Sequence, residues 1–536
     1  MDTPVDYQRI VYPYRRSPDQ DAHAHGKARH PVVVVGAGPV GLAAAIDLAL
    51  QGVPVVLLNN DGRLSVGSRA LCFAKRTLEI LDRLGCGQRL VDKGVSWNVG
   101  RVFFRDEQVY QFDLLAESGH QRPAFVNLQQ YYVEGFLVER AQSLPLIDLR
   151  WHHGVTGLTQ HGDHVALEIE TPEGPYTLLA DHVVACDGSR STMRRLVGQE
   201  SHGRTFKDRF LIADVRMDAP FPAERWFWFD PPFHPGQSVL LHRQPDGVWR
   251  NDFQLGWDAD PELEKRPDRI LPRVRTLMRE ASIAAGGDGA VPEVELVWAS
   301  VYTFACMRMD SFRHGRILFA GDAAHGVSPF GARGANSGIQ DADNLAWKLA
   351  AVIQGRAPDA LLDTYARERE IAADENILNS TRSTDFITPK SEVSRLFRDA
   401  TLTLAKEFDF ARRLVNSGRL SVPTQQYGKP AADAPIRIDG RDDWLLRQMQ
   451  PGRFTLMVFD DETVITSDEE LLVLRIDDRA DAQGLVRQRY DARPGTAVLL
   501  RPDQHVCARW RDVPSAAAIS AATRRAMALE ESAECL

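Results

Sequence analysis

Apolar residues recur along this chain in two rhythms, and the points where one gives way to the other mark out its architecture. Four consecutive valines end at Val35, and Leu42, Ala45, Ile46, Ala49 and Leu50 then follow at helical spacing. Gly52 stops that helix and Val53 to Leu58 reads as a second strand. The same switch occurs near Ile317 to Ala320, a buried strand that stops at Gly321-Asp322. After it come Pro329-Phe330-Gly331-Ala332-Arg333-Gly334-Ala335-Asn336, too rich in Gly and Pro for a helix, and then Ile339, Ala342, Leu345, Ala346, Leu349 and Ile353 at helical spacing up to Gly355. A third apolar run, through Val183, Val184 and Ala185, ends in Asp187-Gly188.

Elsewhere the rhythm is strict alternation. Leu149 to Glu170 and Thr177 to Leu179 read as an antiparallel strand set, and Phe210 to Cys306 as a strand-rich module. Within it Ser238–Leu241 and Val248–Leu255 flank the hairpin signal Gln244-Pro245-Asp246-Gly247. Period two puts Arg250, Asp252 and Gln254 on one strand face and Trp249, Phe253 and Leu255 on the other. Ala357 to Leu420 reads as helical and Pro423 to Pro435 as a linker. Phe454–Phe459, Leu471–Ile476, Ala497–Leu500 and Val506–Trp510 then read as strands, and Ser515–Leu529 as a closing helix.

At 536 residues the chain needs two or three domains. An apolar fraction of 44% and a charged fraction of 26% are ordinary globular values, and the net charge of -9 argues against a nucleic-acid footprint or a basic membrane patch. The six cysteines contain no C-x-x-C pair, so neither a disulfide framework nor a zinc site is indicated, and a reducing cytoplasm fits. No apolar run approaches the roughly 18 residues of a membrane span. Met1 to His30 is polar and reads as an extension, not a signal peptide. Lone histidines, including His242 and His325, form no metal-ligand cluster and are expected to be structural or exposed.

The chemistry gathers at the strand ends. A strand, Gly36-x-Gly38-x-x-Gly41, a helix and a second strand form the context of a dinucleotide turn: Gly36 allows the bend, Gly38 admits a pyrophosphate to the backbone, and Gly41 lets helix and strand pack. The acidic residue expected to hold the ribose is replaced by Asn59, with Asn60 or Asp61 as substitutes. The glycine loop before Gly334 opens a helix whose amino end suits negative charge.

GDAAH from Gly321, with Pro329, Gly331, Gly334 and Asn336 ahead of a helix, resembles the second flavin signature of single-component FAD-dependent aromatic hydroxylases. This is the p-hydroxybenzoate hydroxylase and phenol hydroxylase family, and the run through Asp187 resembles its third signature. The resemblance covers nearly the whole chain after His30. It implies an α/β fold: a Rossmann-like FAD-binding domain in two parts (31–205 and 307–422), an inserted β-rich substrate domain (206–306) and a thioredoxin-like terminal domain (436–536), behind the 1–30 extension. It implies FAD as cofactor and NADPH or NADH as transient co-substrate. Gly36, Gly38, Gly41, Asn59, Arg69, Gln130 (with Gln129 still open), Asp187, Asp322, Gly331, Gly334, Ala335 and Asn336 would hold the flavin. Asp322 would bind the ribityl chain, Arg69 the pyrophosphate, and the Gly334–Asn336 helix start the pyrimidine edge. Arg250, Tyr302 and Pro329 would meet the substrate, with His242 a further contact candidate.

The implied activity is hydroxylation of a phenolic ring by NAD(P)H and dioxygen through a flavin hydroperoxide, with a hydroxyphenyl carboxylate of aromatic catabolism as one candidate. The base that ionises the phenol is not identified. A halogenase or reductase on the same scaffold is the alternative, but Trp226-Phe227-Trp228-Phe229 lacks the halogenase Trp-x-Trp-x-Ile-Pro pattern. No metal, nucleic acid or membrane partner is expected, and the terminal domain, lacking C-x-x-C, is expected to pack or to form a homodimer interface.

Overall fold

The computed structural model describes residues 6–21, 28–67, 70–415, 429–459 and 465–529. Its first sheet has five parallel strands side by side, in the order Ile317–Phe319, Tyr176–Ala185, Arg29–Val35, Val55–Asn59 and Ile147–Trp151. The valine run sits in the middle, where both sheet faces are covered, and Val32, Val33 and Val34 are fully buried. Val165–Glu170 attaches antiparallel to the first half of Tyr176–Ala185, and Gly154–Gln160 pairs antiparallel with Val165–Glu170 in turn.

Helices Pro39–Leu50 and Gly334–Ile353 pack against each other on this sheet. Their approach depends on missing side chains. A Cβ on Gly338 would stand 2.6 Å from Val40 Cγ2, and one on Gly321 2.9 Å from the same atom. The first and second glycine motifs, nearly 300 positions apart in sequence, thus touch directly.

The second sheet is antiparallel but for one pair, with strands in the order Glu295–Tyr302, Arg209–Arg216, Val248–Leu255, Ser238–Arg243, Arg225–Phe229, Val99–Phe104 and Glu107–Asp113. Its last two strands come from outside the 206–306 stretch. One face, with Trp226, Trp228, Val239, Leu241, Trp249 and Phe253, packs against helix Pro267–Ala284 through Ile270, Val274, Leu277 and Met278. The other face is turned toward the first sheet.

The terminal segment forms a mixed sheet, Leu471–Arg475, Phe454–Val458, Ala497–Leu500 and Val506–Trp510, followed by helix Ala516–Ala526 with Ser515 as its cap. It is fastened to the rest by buried charge. Arg501 donates to both Glu368 oxygens (2.9 and 3.0 Å) and to Asp503, while Asn344 donates to Glu368 and Asp503. Arg76 reaches Gln504, the Asp503 carbonyl and Asp343, and Asp343 also takes Arg83.

Three sequence readings shift. The first strand starts at Arg29 instead of Pro31. The described part of the 1–30 extension is packed: Tyr7 is buried, donates to Glu139 at 2.5 Å and fills the space over Gly135, while Tyr12 stacks on Trp151 at 4.4 Å. The linker expected over 423–435 begins outside the described residues. Among the described residues no helix is long and apolar enough to cross a membrane.

Candidate functional site

Because the five strands run parallel, their carboxyl ends share one edge, where open α/β sheets bind ligands. Val35 lies beside Ala185 and Ala185 beside Phe319. Past those ends Cys186 N–H donates to the Val35 carbonyl at 2.8 Å, Ala320 N–H to Ala185 at 3.0 Å, and Gly36 N–H to Leu58 at 2.8 Å. The turns at Gly36, Asp187 and Asp322, scattered in sequence, therefore stand next to one another.

Two glycines there have no substitute. Gly36 has φ +105°, and a Cβ on it would stand 2.5 Å from the Cys186 carbonyl oxygen; a Cβ on Gly41 would lie 1.9 Å from the Gly36 oxygen. Gly38 is the opposite case: a Cβ there would meet nothing within 4 Å. The tight neighbours build a turn, and Gly38 leaves its backbone bare before the first turn of helix Pro39–Leu50. That is the surface a pyrophosphate needs, with N–H groups and no side chain in the way.

The other expected flavin residues divide by what they already do. Asn59 accepts from Ala37 N–H at 3.1 Å and donates to the Asp61 carbonyl at 3.0 Å, so it ties the glycine turn to the end of the second strand. Gln130 begins helix Gln130–Gln142, accepts from Ala70 N–H at 2.9 Å and donates to Glu134 at 2.7 Å, which positions the loop after Gly67. Gln129, just before it, is buried with its amide oxygen unbonded among the described residues. Arg69 lies outside the described residues. Asp187 accepts from Ser191 Oγ (2.5 Å) and Met193 N–H (2.9 Å), shaping the loop that crowds Gly36.

Asp322 is exposed at its strand end, its Oδ1 4.0 Å from where a Cβ on Gly334 would be. Pro329 is exposed, and Ala332 N–H bonds its carbonyl at 3.1 Å; Gly331 (φ +100°) and Ala332 (φ +52°) carry the bend into the helix. The helix starts at Gly334 with no side-chain cap, leaving its first N–H groups to the site, with Ala335 half-buried there. Asn336 is a clamp: it accepts from Ala74 N–H and donates to the Cys72 carbonyl, both at 2.9 Å. Behind it Asp341 accepts from His325 Nε2 (2.7 Å), Gly321 N–H (3.0 Å) and Arg369 (2.6 Å), which makes His325 structural.

The facing wall is the second sheet, and Phe330 of the glycine loop meets Phe210 of that sheet at 4.9 Å between ring centres. Cross-strand register lays its residues out in rows. One row runs Arg225, His242, Arg250, Asp214, Trp298; the next Phe227, Leu240, Asp252, Ile212, Ser300; a third Phe229, Ser238, Gln254, Phe210, Tyr302. Arg250 is buried and paired with Asp214 (2.9 and 3.3 Å), which also takes Gln244 at 3.1 Å. This face is therefore no solvated strand face. Tyr302 closes the third row, 43% exposed and stacked on Phe304.

Single-strand alternation had put Asp252 on this face but gave it no role, and it gave no hint of Arg225 or Asp214. Arg225 is 9% exposed, its one hydrogen bond among the described residues a 3.5 Å contact to Cys72 Sγ, with its charge over the Trp97 and Phe227 rings. His242 is 2% exposed with neither ring nitrogen bonded among the described residues, and burial between the two guanidiniums drives its pKa well below the usual range. Asp252 is half-buried, and its Oδ1 has no hydrogen-bond partner among the described residues. Burial pushes Asp252 up to about 6 against the pull of Arg250 and Arg225. The strand pattern Arg-x-Asp-x-Gln was the available signal for it.

Residues 29–380 match the FAD binding domain family. The chain is 30% identical over 514 residues to 12-dehydrotetracycline 5-monooxygenase/anhydrotetracycline 6-monooxygenase of Streptomyces rimosus, covering 91% of this chain and 96% of that one. It is 34% identical over 356 residues to a probable NADH-specific resorcinol 4-hydroxylase of Rhodococcus jostii, 64% of this chain and 63% of the relative. Among solved structures, the flavin-dependent monooxygenase PieE superposes with TM-score 0.75 at 22% identity over 94% of this chain and all of the other, a likeness of fold.

Proposed function

Since the chain belongs to the FAD binding domain family, among relatives that are FAD-dependent aromatic hydroxylases, we propose that it is an NAD(P)H-dependent FAD monooxygenase that hydroxylates a phenolic ring. One observation carries the reading: the Gly36 turn and the Asp187-Gly188 and Gly321-Asp322 turns meet at one sheet edge, facing a buried polar sheet wall. FAD, when bound, supplies the redox chemistry, taking reducing equivalents from NAD(P)H and activating dioxygen.

The chain supplies placement. The Gly36–Gly41 turn and the bare backbone at Gly38 would hold the pyrophosphate, with Asp187 bracing the adjoining loop and Arg69 as a further pyrophosphate ligand. Asn59 sets the turn and offers its second amide-oxygen lone pair to the adenosine ribose. Gln130 and Asp322 border the ribityl chain. The uncapped helix start at Gly334, Ala335 and Asn336 faces the pyrimidine edge, where reduced flavin is anionic. Pro329, Gly331, Arg250 and Tyr302 enclose the space for the substrate ring, and the two walls exclude water from it.

The same reading divides the chain into the 1–30 extension, the two flavin segments 31–205 and 307–422, the substrate module 206–306 and the terminal domain 436–536. The terminal mixed sheet supports a thioredoxin-like, non-redox domain that packs, or pairs two copies as a homodimer. Buried, unbridged Cys72, Cys86, Cys186 and Cys306 support a cytoplasmic setting, and the net charge of -9 supports the reading that neither nucleic acid nor an anionic membrane surface is a partner.

The test is direct. Purified protein should be yellow, and in a panel of substituted phenols at least one should accelerate NAD(P)H oxidation and gain one oxygen atom by product mass. Oxidation that no phenol stimulates, with no oxygenated product, overturns the reading. Asp322→Ala should lose FAD on dialysis; unchanged flavin content would remove Asp322 from the ribityl contact.

A further inference from the structure

The polar wall of the second sheet contains two carboxylates on the same face, and they are in opposite conditions. Asp214, 3% exposed, is saturated by Arg250 and Gln244. Asp252, one row further and half-buried, lies between the hydrocarbon of Leu240 and Ile212 and keeps Oδ1 unbonded among the described residues. An enclosed oxygen that accepts nothing destabilises the fold until a donor reaches it. Its two nearby cations do not settle it: Arg250 is committed to Asp214, and Arg225 makes its contact to Cys72.

Cys72 fixes where this cluster stands. Its carbonyl accepts from Asn336 in the first turn of helix Gly334–Ile353, and its thiol meets Arg225. Asp252 and Arg225 therefore face the seam between the glycine loop and the sheet, where the substrate ring belongs if the functional reading holds.

On that reading, we propose that Asp252 is the catalytic base: its Oδ1 accepts the hydrogen bond of the substrate's ring hydroxyl and takes the proton, and Arg225 stabilises the oxyanion left behind. The O–H bond of the phenol breaks and an O–H bond to Asp252 forms. The electron pair stays on the phenolic oxygen and spreads to the ortho and para carbons, raising their nucleophilicity, and nothing is oxidised or reduced in the step. Asp252 ionised and Arg225 cancel in charge, as Asp214 and Arg250 do, so this end of the cleft suits a neutral hydroxyl and disfavours a substrate carboxylate.

The other groups on the face do not fit the task. His242 is sealed and held neutral between two guanidiniums, Gln254 spends its amide oxygen on Ser238 N–H, and Tyr302 stands in the third row. Chemistry agrees with position. A phenol titrates near 10, and a base raised to about 6 is mismatched by roughly 4 units instead of the 6 of an ordinary carboxylate. The groups facing Asp252 are Arg250 on its own strand, Arg225 and His242 on the next strands, Asp214 across the sheet, and Cys72 from the flavin side.

The experiment uses the FAD-loaded full chain as wild type, Asp252→Asn and Asp252→Glu, with resorcinol as kinetic probe and 4-nitrophenol at pH 6 as spectroscopic probe. Wild type should bind 4-nitrophenol as the phenolate, seen in the difference spectrum. Its kcat/KM for resorcinol should rise with pH through about 6. Asp252→Asn, with unchanged FAD content, should bind the neutral phenol or none at all, lose that acid limb and fall on the order of 100-fold in kcat. Asp252→Glu should recover the limb.

A phenolate band or intact acid limb in Asp252→Asn overturns the assignment, as does neutral 4-nitrophenol bound to wild type. If wild type answers to no phenol at all, the functional reading has failed, and this proposal with it.

Discussion

Two clusters of charged side chains, one where the terminal sheet docks and one on the second sheet, differ in how completely they are bonded. Where the terminal sheet docks, Glu368 is held by Arg501, Lys348 and Asn344, and Asp503 by Arg501 and Asn344. On the second sheet, Asp252, His242 and Arg225 each keep atoms that bond nothing among the described residues. The first arrangement is complete in the folded chain and can only be harmed by change. The second is incomplete, and a ring hydroxyl from outside would complete it. Bonding state, more than burial, separates charge that holds the fold from charge that serves a ligand.

The largest effect that tests this contrast is on the docking cluster. Glu368→Gln should cost about 3 kcal/mol in urea unfolding, because Arg501 and Lys348 lose a charged partner inside the protein. A cost below about 1 kcal/mol would mean that the cluster is no more essential than the sheet face.

The same kind of change at Asp252 should go the other way. Asp252→Asn removes a carboxylate that folding penalises, so stability at pH 7 should hold or rise by about 1 kcal/mol while turnover collapses. A clear loss of stability would make Asp252 a structural residue.

The smallest effect is a separation on the pH axis. Arg501 and Lys348 hold Glu368 down at about 2, so its stabilising contribution is full above its unfolded value near 4.5 and drains away as pH falls toward 2. Asp252 is raised, so its ionisation opposes folding: that contribution grows from about pH 4 to 6 and is constant above. The decline in unfolding free energy that Asp252 contributes as pH rises from 4 to 6 should therefore vanish in Asp252→Asn, and part of the acid fall below pH 4.5 should vanish in Glu368→Gln.

What the sequence disclosed follows from distance along the chain. Gly36, Gly38 and Gly41 sit within six positions, and a turn of that kind is set by its own residues, so it could be read outright. The terminal strands were legible for the same reason, the segments read as strands ending within a residue of the observed Phe454–Val458, Leu471–Arg475, Ala497–Leu500 and Val506–Trp510. The pairing of Arg250 with Asp214, the row that sets Arg225 beside His242, and the addition of Val99–Asp113 to the second sheet all depend on inter-strand register, which no local pattern fixes. Asn59 and Gln130 fall between: their motif positions were readable, but their bonds to Ala37 and Ala70 were not.

The strand order of the first sheet also sets a timetable. Ile317–Phe319 is made long after Arg29–Val35, yet it lines the same edge one strand removed, and helix Gly334–Ile353 must then settle against Pro39–Leu50. On the proposed site, a nascent chain can shape its dinucleotide turn early, but the place for a flavin ring is completed only after Asn336 has been made and has folded back. Pairing so distant in sequence is slow to form. If that site holds the flavin, cofactor capture is a late event in the biogenesis of this protein, and cells short of flavin should accumulate a chain whose last step of maturation is stalled.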